Sequence, residues 1–370
     1  MLINDFQPNW IHSPGKIIAQ FASFTNIDFQ SLDHQDLELL ENIKQEKVKI
    51  DSDNVKLLTD LLGGTFDFWI NLQTQYDENT KRLSNMPVDP QFKEFKSTVK
   101  ELKAENWLPS SNCEYLDQVN LKSFYGISEF SPLEKNKIIS NNLGSKLKGI
   151  GQYNISNLNL ATLIRKVEIE AQKQLTSDCA SWNKDLLLKN LNNLKKFTKH
   201  KKVLEVLPSL QETLSQYGIA LFFIKSLSKT PICGLAKFTN NNRAIIAITP
   251  KYNKDHIFWE TLFHELGHLV LHEEDMIFCD ESYEKNDKNS IEWEADQFML
   301  QAFLYPIDPN NFHRFINIDL IKRDKLAGWK EICLKARELD ISPSLLTGLL
   351  KKMGHIPYKY YTDRHYTLLD

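Results

Sequence analysis

The run His264-Glu265-Leu266-Gly267-His268 sets two imidazoles four residues apart with a carboxylate beside the first. On a helix, residues four apart share a face, so His264 and His268 can present their rings to one ion. Glu265 then stands next to that ion, where its carboxylate can take a proton from water. A hydrolytic zinc needs a third protein ligand and one open position. The stretch Glu292-Trp293-Glu294-Ala295-Asp296 offers acids on a second helical run. Glu292 is the preferred third ligand. Asp296, one turn on, is expected to hydrogen-bond a ligand histidine from behind. Glu294, Glu273, Glu274 and Asp280 compete for the ligand role, although Glu294 reads more simply as surface charge. A version of the motif with a third histidine is excluded, because it needs glycine where Leu271 stands and histidine where Glu274 stands. His272, a turn beyond His268, is assigned to packing or a supporting hydrogen bond.

These residues need elements to hold them. Residues 255–272 carry Ile257, Phe258, Trp259, Leu262, Phe263, Leu266, Leu269 and Val270, which predicts a helix buried on most sides. Asp255 is placed to cap its start. Polar groups on such a helix are costly without partners, and a metal would supply one. Upstream, a helix from about 203 to Gln216 ends at Gly218, and strand-like runs follow at 219–224, 232–238 and 243–249. Asn240-Asn241-Asn242 reads as a hairpin turn, and Pro250 closes the sheet. A small antiparallel sheet feeding a histidine helix is a workable protease core. An exposed edge at 243–249 would let an extended substrate add to the sheet. After Pro306 the pattern returns to helices, with Ile341-Ser342-Pro343 leading into one that ends near Gly354.

The N-terminal residues up to about 83 predict short helices. One begins at Pro14 and runs through Ile17, Ile18 and Phe21; another carries Leu37, Leu39, Leu40 and Ile43. A third, with Val55, Leu57, Leu58, Leu61 and Leu62, stops at Gly63-Gly64. Phe66, Phe68, Trp69, Ile70 and Leu72 suggest a further short helix, and Pro87 and Pro90 mark a boundary. Residues 91–200 read as mostly helical. Within them, 184–203 mixes leucines with Lys189, Lys195, Lys196, Lys199, Lys201 and Lys202, which reads as the solvated face of an amphipathic helix, with nucleic acid as the rival.

The chain has 370 residues, enough for two or three domains, and its apolar fraction of 42% allows a sizeable core. A net charge of −3 argues against a protein coated for nucleic acid. Five dispersed cysteines, Cys113, Cys179, Cys233, Cys279 and Cys333, fit free thiols in a reducing compartment, with Cys279 read as a small apolar residue. No apolar run approaches a membrane span and no signal peptide is evident, so a cytoplasmic protein without membrane contact is expected.

The stretch 245–272, with Phe258-Trp259 and then HELGHLVLH, resembles the ImmA/IrrE family of bacterial metallopeptidases. So do Glu292-Trp293-Glu294-Ala295-Asp296, Ile341-Ser342-Pro343 and Thr347-Gly348-Leu349-Leu350. Pro14-Gly15-Lys16-Ile17-Ile18 and Phe68-Trp69-Ile70-Asn71-Leu72-Gln73 are similar to the HigA-type (XRE-like) helix-turn-helix antitoxins. The likeness covers both ends and the middle only loosely.

It implies an α+β, mostly helical chain in three parts. These are a helix-turn-helix-like bundle at 1–85, a helical linker region at 86–202, and a minimal gluzincin-like metallopeptidase domain with a small antiparallel sheet at 203–370. It also implies a zinc endopeptidase that cuts a repressor or antitoxin-like regulator in stress response, toxin-antitoxin or phage settings. His264, His268 and Glu292 match the zinc ligands and Glu265 the catalytic acid.

The N-terminal part departs from its pattern. The residues matching the turn, Asp33-His34-Gln35-Asp36, lack glycine, and the expected recognition helix carries Asp36, Glu38 and Glu41, with Lys44, Lys47 and Lys49 only at its end. Acids there would face phosphates. DNA binding and a shape kept for homodimerisation or partner docking both stay open. The rival functions are a DNA-binding antitoxin or regulator whose metal domain only senses, and a scaffold with a dead site. His272, Tyr252 and Tyr358 are candidate oxyanion donors.

Overall fold

The computed structural model describes residues 13–24, 33–143, 147–148, 156–174, 180–230, 232–239, 242–272, 277–279 and 290–368. Contacts divide the chain into two compact units, 1–135 and 136–370, a boundary that falls inside the expected middle region.

Unit 1 is helical. Its helices are α1 (Pro14–Phe24), α2 (His34–Lys44), α3 (Val55–Leu62), α4 (Phe66–Ser84), α5 (Lys96–Ala104) and α6 (Glu114–Tyr125), and α7 (Pro132–Leu143) crosses its end. The apolar series of the first four helices meet in one core of Ile18, Leu40, Ile43, Ile50, Val55, Leu58, Leu62 and Trp69. Thr65 caps α4, and the Trp69 indole donates to the Gly63 carbonyl at 2.9 Å. The last of these helices is longer than its apolar run suggests. Gln, Glu, Lys and Arg favour helix in the polar stretch, and buried Leu83 anchors its far end. The residues expected to form a turn instead start α2: Asp33 caps it, accepting from the Asp36 amide at 2.8 Å, and His34, Gln35 and Asp36 form its first turn. Glu38 and Glu41 of α2 are exposed. The second half of the unit closes on aromatic rings, with Phe130 packed 5.2 Å from Phe92 and 5.1 Å from Phe95.

Unit 2 holds α8 (Asn157–Gln174), α9 (Lys184–Lys196), α10 (Val203–Ser215), α11 (Asp255–Leu271), α12 (Ile291–Leu304), α13 (Phe312–Phe315), α14 (Ile318–Arg323), α15 (Lys325–Glu338) and α16 (Pro343–Lys352). Its strands are β1 (Leu147–Lys148), β2 (Ile219–Phe223), β3 (Gly234–Thr239), β4 (Arg243–Ile248) and β5 (Ile277–Cys279), in the order β1-β5-β3-β4-β2. Among the described residues the chain is thus mostly helical with one small sheet, an α+β fold.

The sheet is mixed where an antiparallel one is expected. β3 and β4 pair antiparallel, Thr239 opposite Arg243, but β2 pairs parallel with β4. The connection after β2 is long enough to carry the chain past a vacant lane, which β4 then fills. β4 is therefore interior and buried along its whole length, so 243–249 is not an edge open to a substrate. Asn240 and Asn241 of the expected hairpin turn lie outside the described residues.

On α9 and just beyond, Lys189, Lys196, Lys199, Lys201 and Lys202 are exposed and Lys195 is buried, the pattern of a solvated face. Cys113 is a buried free thiol, Cys233 is buried and Cys333 is half-buried; Cys179 and the Cys279 side chain lie outside the described residues. Among the described residues no helix is long and apolar enough to cross a membrane.

Candidate active site

α11 is buried on nearly every side, from Phe258 and Trp259 through Leu269 and Val270, as its unbroken apolar pattern requires. Asp255 does not cap it. Lys254 holds the cap position without a side-chain bond. Asp255 Oδ1 instead accepts from Ser344 Oγ at 2.7 Å and from the Tyr366 amide at 3.0 Å. The demands of a later segment thus outweigh the local cap.

Ser290 caps α12, its hydroxyl accepting from the Trp293 amide at 3.1 Å. Glu292, Ala295, Asp296, Met299 and Phe303 recur at helical spacing and are buried. Gly267 lets the two helices close. A Cβ there would lie 3.1 Å from both the Cα and the carbonyl oxygen of Ala295.

Three side chains converge where the helices touch. His264 Nε2 lies 3.1 Å from Glu292 Oε2 and 3.0 Å from His268 Nε2, and His268 Nε2 lies 3.4 Å from the same carboxylate oxygen. All three residues are buried. Behind them, His264 Nδ1 stands 2.9 Å from Asp296 Oδ1. His268 Nδ1 meets His272 Nδ1 at 3.0 Å, and His272 Nε2 meets Glu294 Oε2 at 3.0 Å. If each outer contact takes the ring N–H, both Nε2 lone pairs point inward together. Glu265, the residue after His264, is fully buried, and its carboxylate packs on the start of β3.

The electrostatics follow from this enclosure. Burial alone would lower the His264 pKa, but hydrogen bonds to Asp296 and Glu292 outweigh it and push it up to about 10. Burial dominates at His268 and pushes it down to about 4. Burial opposes charge on Glu292 as well, yet the two histidines pull it down to about 2. Against burial, the Lys352 ammonium and His264 hold the Asp296 carboxyl well below the usual carboxylate range. The carboxylates of Glu292 and Asp296 thus favour positive charge beside them at His264, while burial keeps His268 neutral.

A divalent cation fits that demand. Tetrahedral bonds of about 2.0–2.1 Å place ligand atoms about 3.3 Å apart, close to the separations seen among the two ring nitrogens and the carboxylate oxygen. Glu292 Oε1 is buried without a hydrogen-bond partner, a position a bound cation would relieve.

Of the competing acids, Glu294 is half exposed and turned to His272, and Glu273, Glu274 and Asp280 lie outside the described residues. Both ring nitrogens of His272 are engaged, Nδ1 by His268 and Nε2 by Glu294. Tyr252 and Tyr358 are exposed side chains.

A second convergence of donors, Asp255, His256 and His365, lies at the start of α11. There Ser344 Oγ stands 2.9 Å from His365 Nδ1, and Lys351 Nζ stands 2.7 Å from His365 Nε2. With both nitrogens engaged and an ammonium on one, this group is a clasp that ties α16 and the segment after it to α11. The Leu368 amide donates to Asn253 Oδ1 at 3.0 Å and completes it.

Sequence reading did not find Gly234 or Lys352. A Cβ at Gly234 would sit 2.3 Å from Glu265 Oε1, and Lys352 Nζ is 2.8 Å from Asp296 Oδ1. Each comes from an element remote in sequence, so no local spacing announces it.

Searches of curated proteins and of solved structures each gave no match. Residues 216–313 match the family of the IrrE N-terminal-like domain, peptidase family M78, over about a quarter of the chain. The matched segment runs from β2 to the start of α13 and contains both helices of the site. This segment is therefore similar to the ImmA/IrrE peptidases, a family that implies a bound metal.

Proposed function

We propose that the protein is a zinc-dependent endopeptidase of the ImmA/IrrE type that cuts an intracellular regulatory protein, a repressor or antitoxin. The observation that carries this reading is the convergence of His264 Nε2, His268 Nε2 and Glu292 Oε2 within 3.4 Å in a buried pocket, with Glu265 beside them. Two neutral imidazoles and one carboxylate are the ligand set of a catalytic zinc that keeps an open position. When bound, zinc supplies Lewis acidity: it makes water a nucleophile near neutral pH and polarises a carbonyl oxygen.

The chain's own residues do the rest. Asp296 and His272 fix the two ligand rings by their outer nitrogens. The Glu265 carboxylate takes a proton from the attacking water and passes it to the leaving amine. Apolar walls of α11 and α12 exclude bulk water and strengthen each of these interactions. A protein is the partner this reading assigns, because the bond the site would hydrolyse is a peptide bond.

The test pairs metal with cleavage. Glu265→Gln is expected to keep zinc and lose proteolysis of a regulator encoded beside the gene, while His264→Ala loses both. Full proteolysis by the Gln variant would remove the assignment.

A further inference from the structure

Lys352, the last residue of α16, reaches the carboxylate behind His264. Its Nζ lies 2.8 Å from Asp296 Oδ1, the same oxygen that His264 Nδ1 meets at 2.9 Å. The Asp296 side chain is 7% exposed and that of Lys352 33%. A carboxylate so enclosed is costly without a cationic partner, and the ammonium supplies one from an element that holds no candidate ligand.

This reach has a local cause. Gly348 lies one turn before Lys352 on the same face of α16. A Cβ at Gly348 would stand 2.3 Å from Glu260 Oε1 and 2.5 Å from His256 Cδ2. Glycine lets α16 lie this close to α11, and the close approach carries Lys352 to Asp296.

We infer that Lys352 is a positioning residue of the metal centre: its ammonium clamps Asp296, which in turn aims His264 Nε2 at Glu292 and His268. The inference rests on the zinc reading above. Two effects of the ammonium oppose each other. Its charge repels a bound cation, but a third of the side chain faces water, which screens that repulsion. Its bond to Asp296 is direct and charge-assisted. The clamp outweighs the repulsion, so losing it weakens metal binding.

Zinc affinity of the full chain, measured by competition with a chromophoric chelator, tests this without any substrate. Lys352→Met is expected to raise the zinc Kd about tenfold or more, the range in which partners behind a ligand histidine act. Lys352→Gln does the same, and Lys352→Arg restores binding, since a guanidinium also grips a carboxylate. In an Asp296→Asn background the Lys352→Met change adds no further loss, because the clamp has lost its object. An unchanged or lower Kd for Lys352→Met and Lys352→Gln, or an equal loss in the Asp296→Asn background, overturns the inference alone. A wild-type chain that binds no zinc removes the zinc reading, and the inference with it.

Discussion

Gly234→Ala aims at Glu265 through a residue that touches no metal. The added Cβ would lie 2.3 Å from Glu265 Oε1, 2.5 Å from Thr261 Cγ2 and 2.9 Å from Glu265 Cδ. Ordinary contact begins near 3.4 Å, so the carboxylate and the threonine methyl must each give by about 1 Å. Thr261 is β-branched on a buried helix and moves little. The unbranched glutamate side chain has more rotatable bonds than the β-branched threonine, so it absorbs most of the clash. That atom is the proposed proton acceptor, and misplacing a reacting group by about 1 Å costs roughly 100-fold in rate. His264, His268 and Glu292 are left in place, so zinc binding should hold. Overpacking adds a stability cost of about 1–3 kcal/mol. The assay is the rate of regulator cleavage, run beside zinc content and a thermal melt. A variant that cuts at the wild-type rate with zinc bound would refute the placement of Glu265 against β3, and its role as the base with it.

Two further outcomes follow from other parts of unit 2. Burial, and then the charges of His256 and Lys351, push the His365 pKa from 6.5 down to about 3. The folded chain then binds fewer protons than the unfolded chain between those values, so stability is present above pH 6.5 and is lost as pH falls toward 3. Thermal melts across that window should show the loss, and His365→Gln should make it shallower without abolishing it, since burial also depresses His268 to about 4; an equally steep acid loss in the variant would exclude this histidine as a source. Zinc at a thousand times its Kd should stabilise the wild-type fold by about 4 kcal/mol, read as a raised melting temperature. The His264→Ala chain should show no such rise, and an equal rise there would place the ion elsewhere.

Much of the site was legible because it is local. His264 and His268 are one turn apart, as are Glu292 and Asp296, and the repeat of a helix alone brings each pair to one face. That His272 lies one turn beyond His268 also follows from helical spacing, whereas which ligand histidine Asp296 meets is decided by how α12 packs on α11. What escaped depends on meetings between distant segments. Nothing around Gly234 or Lys352 hints at Glu265 or Asp296, because β3 and α16 reach them only through tertiary packing. Asp255 has the type and place of a helix cap, yet Ser344 and the Tyr366 amide claim its carboxylate. The strands were readable one by one from their apolar runs. Their order was not, because pairing β2 with β4 depends on which lane the chain leaves vacant.

Metal analysis of the purified full chain bears most directly on whether the pocket between α11 and α12 is a metal centre. One zinc per wild-type chain is expected, falling to near none in His264→Ala, His268→Ala and Glu292→Ala variants that stay folded. Zinc retained in all three, or none in a folded wild-type chain given zinc in excess, would contradict it.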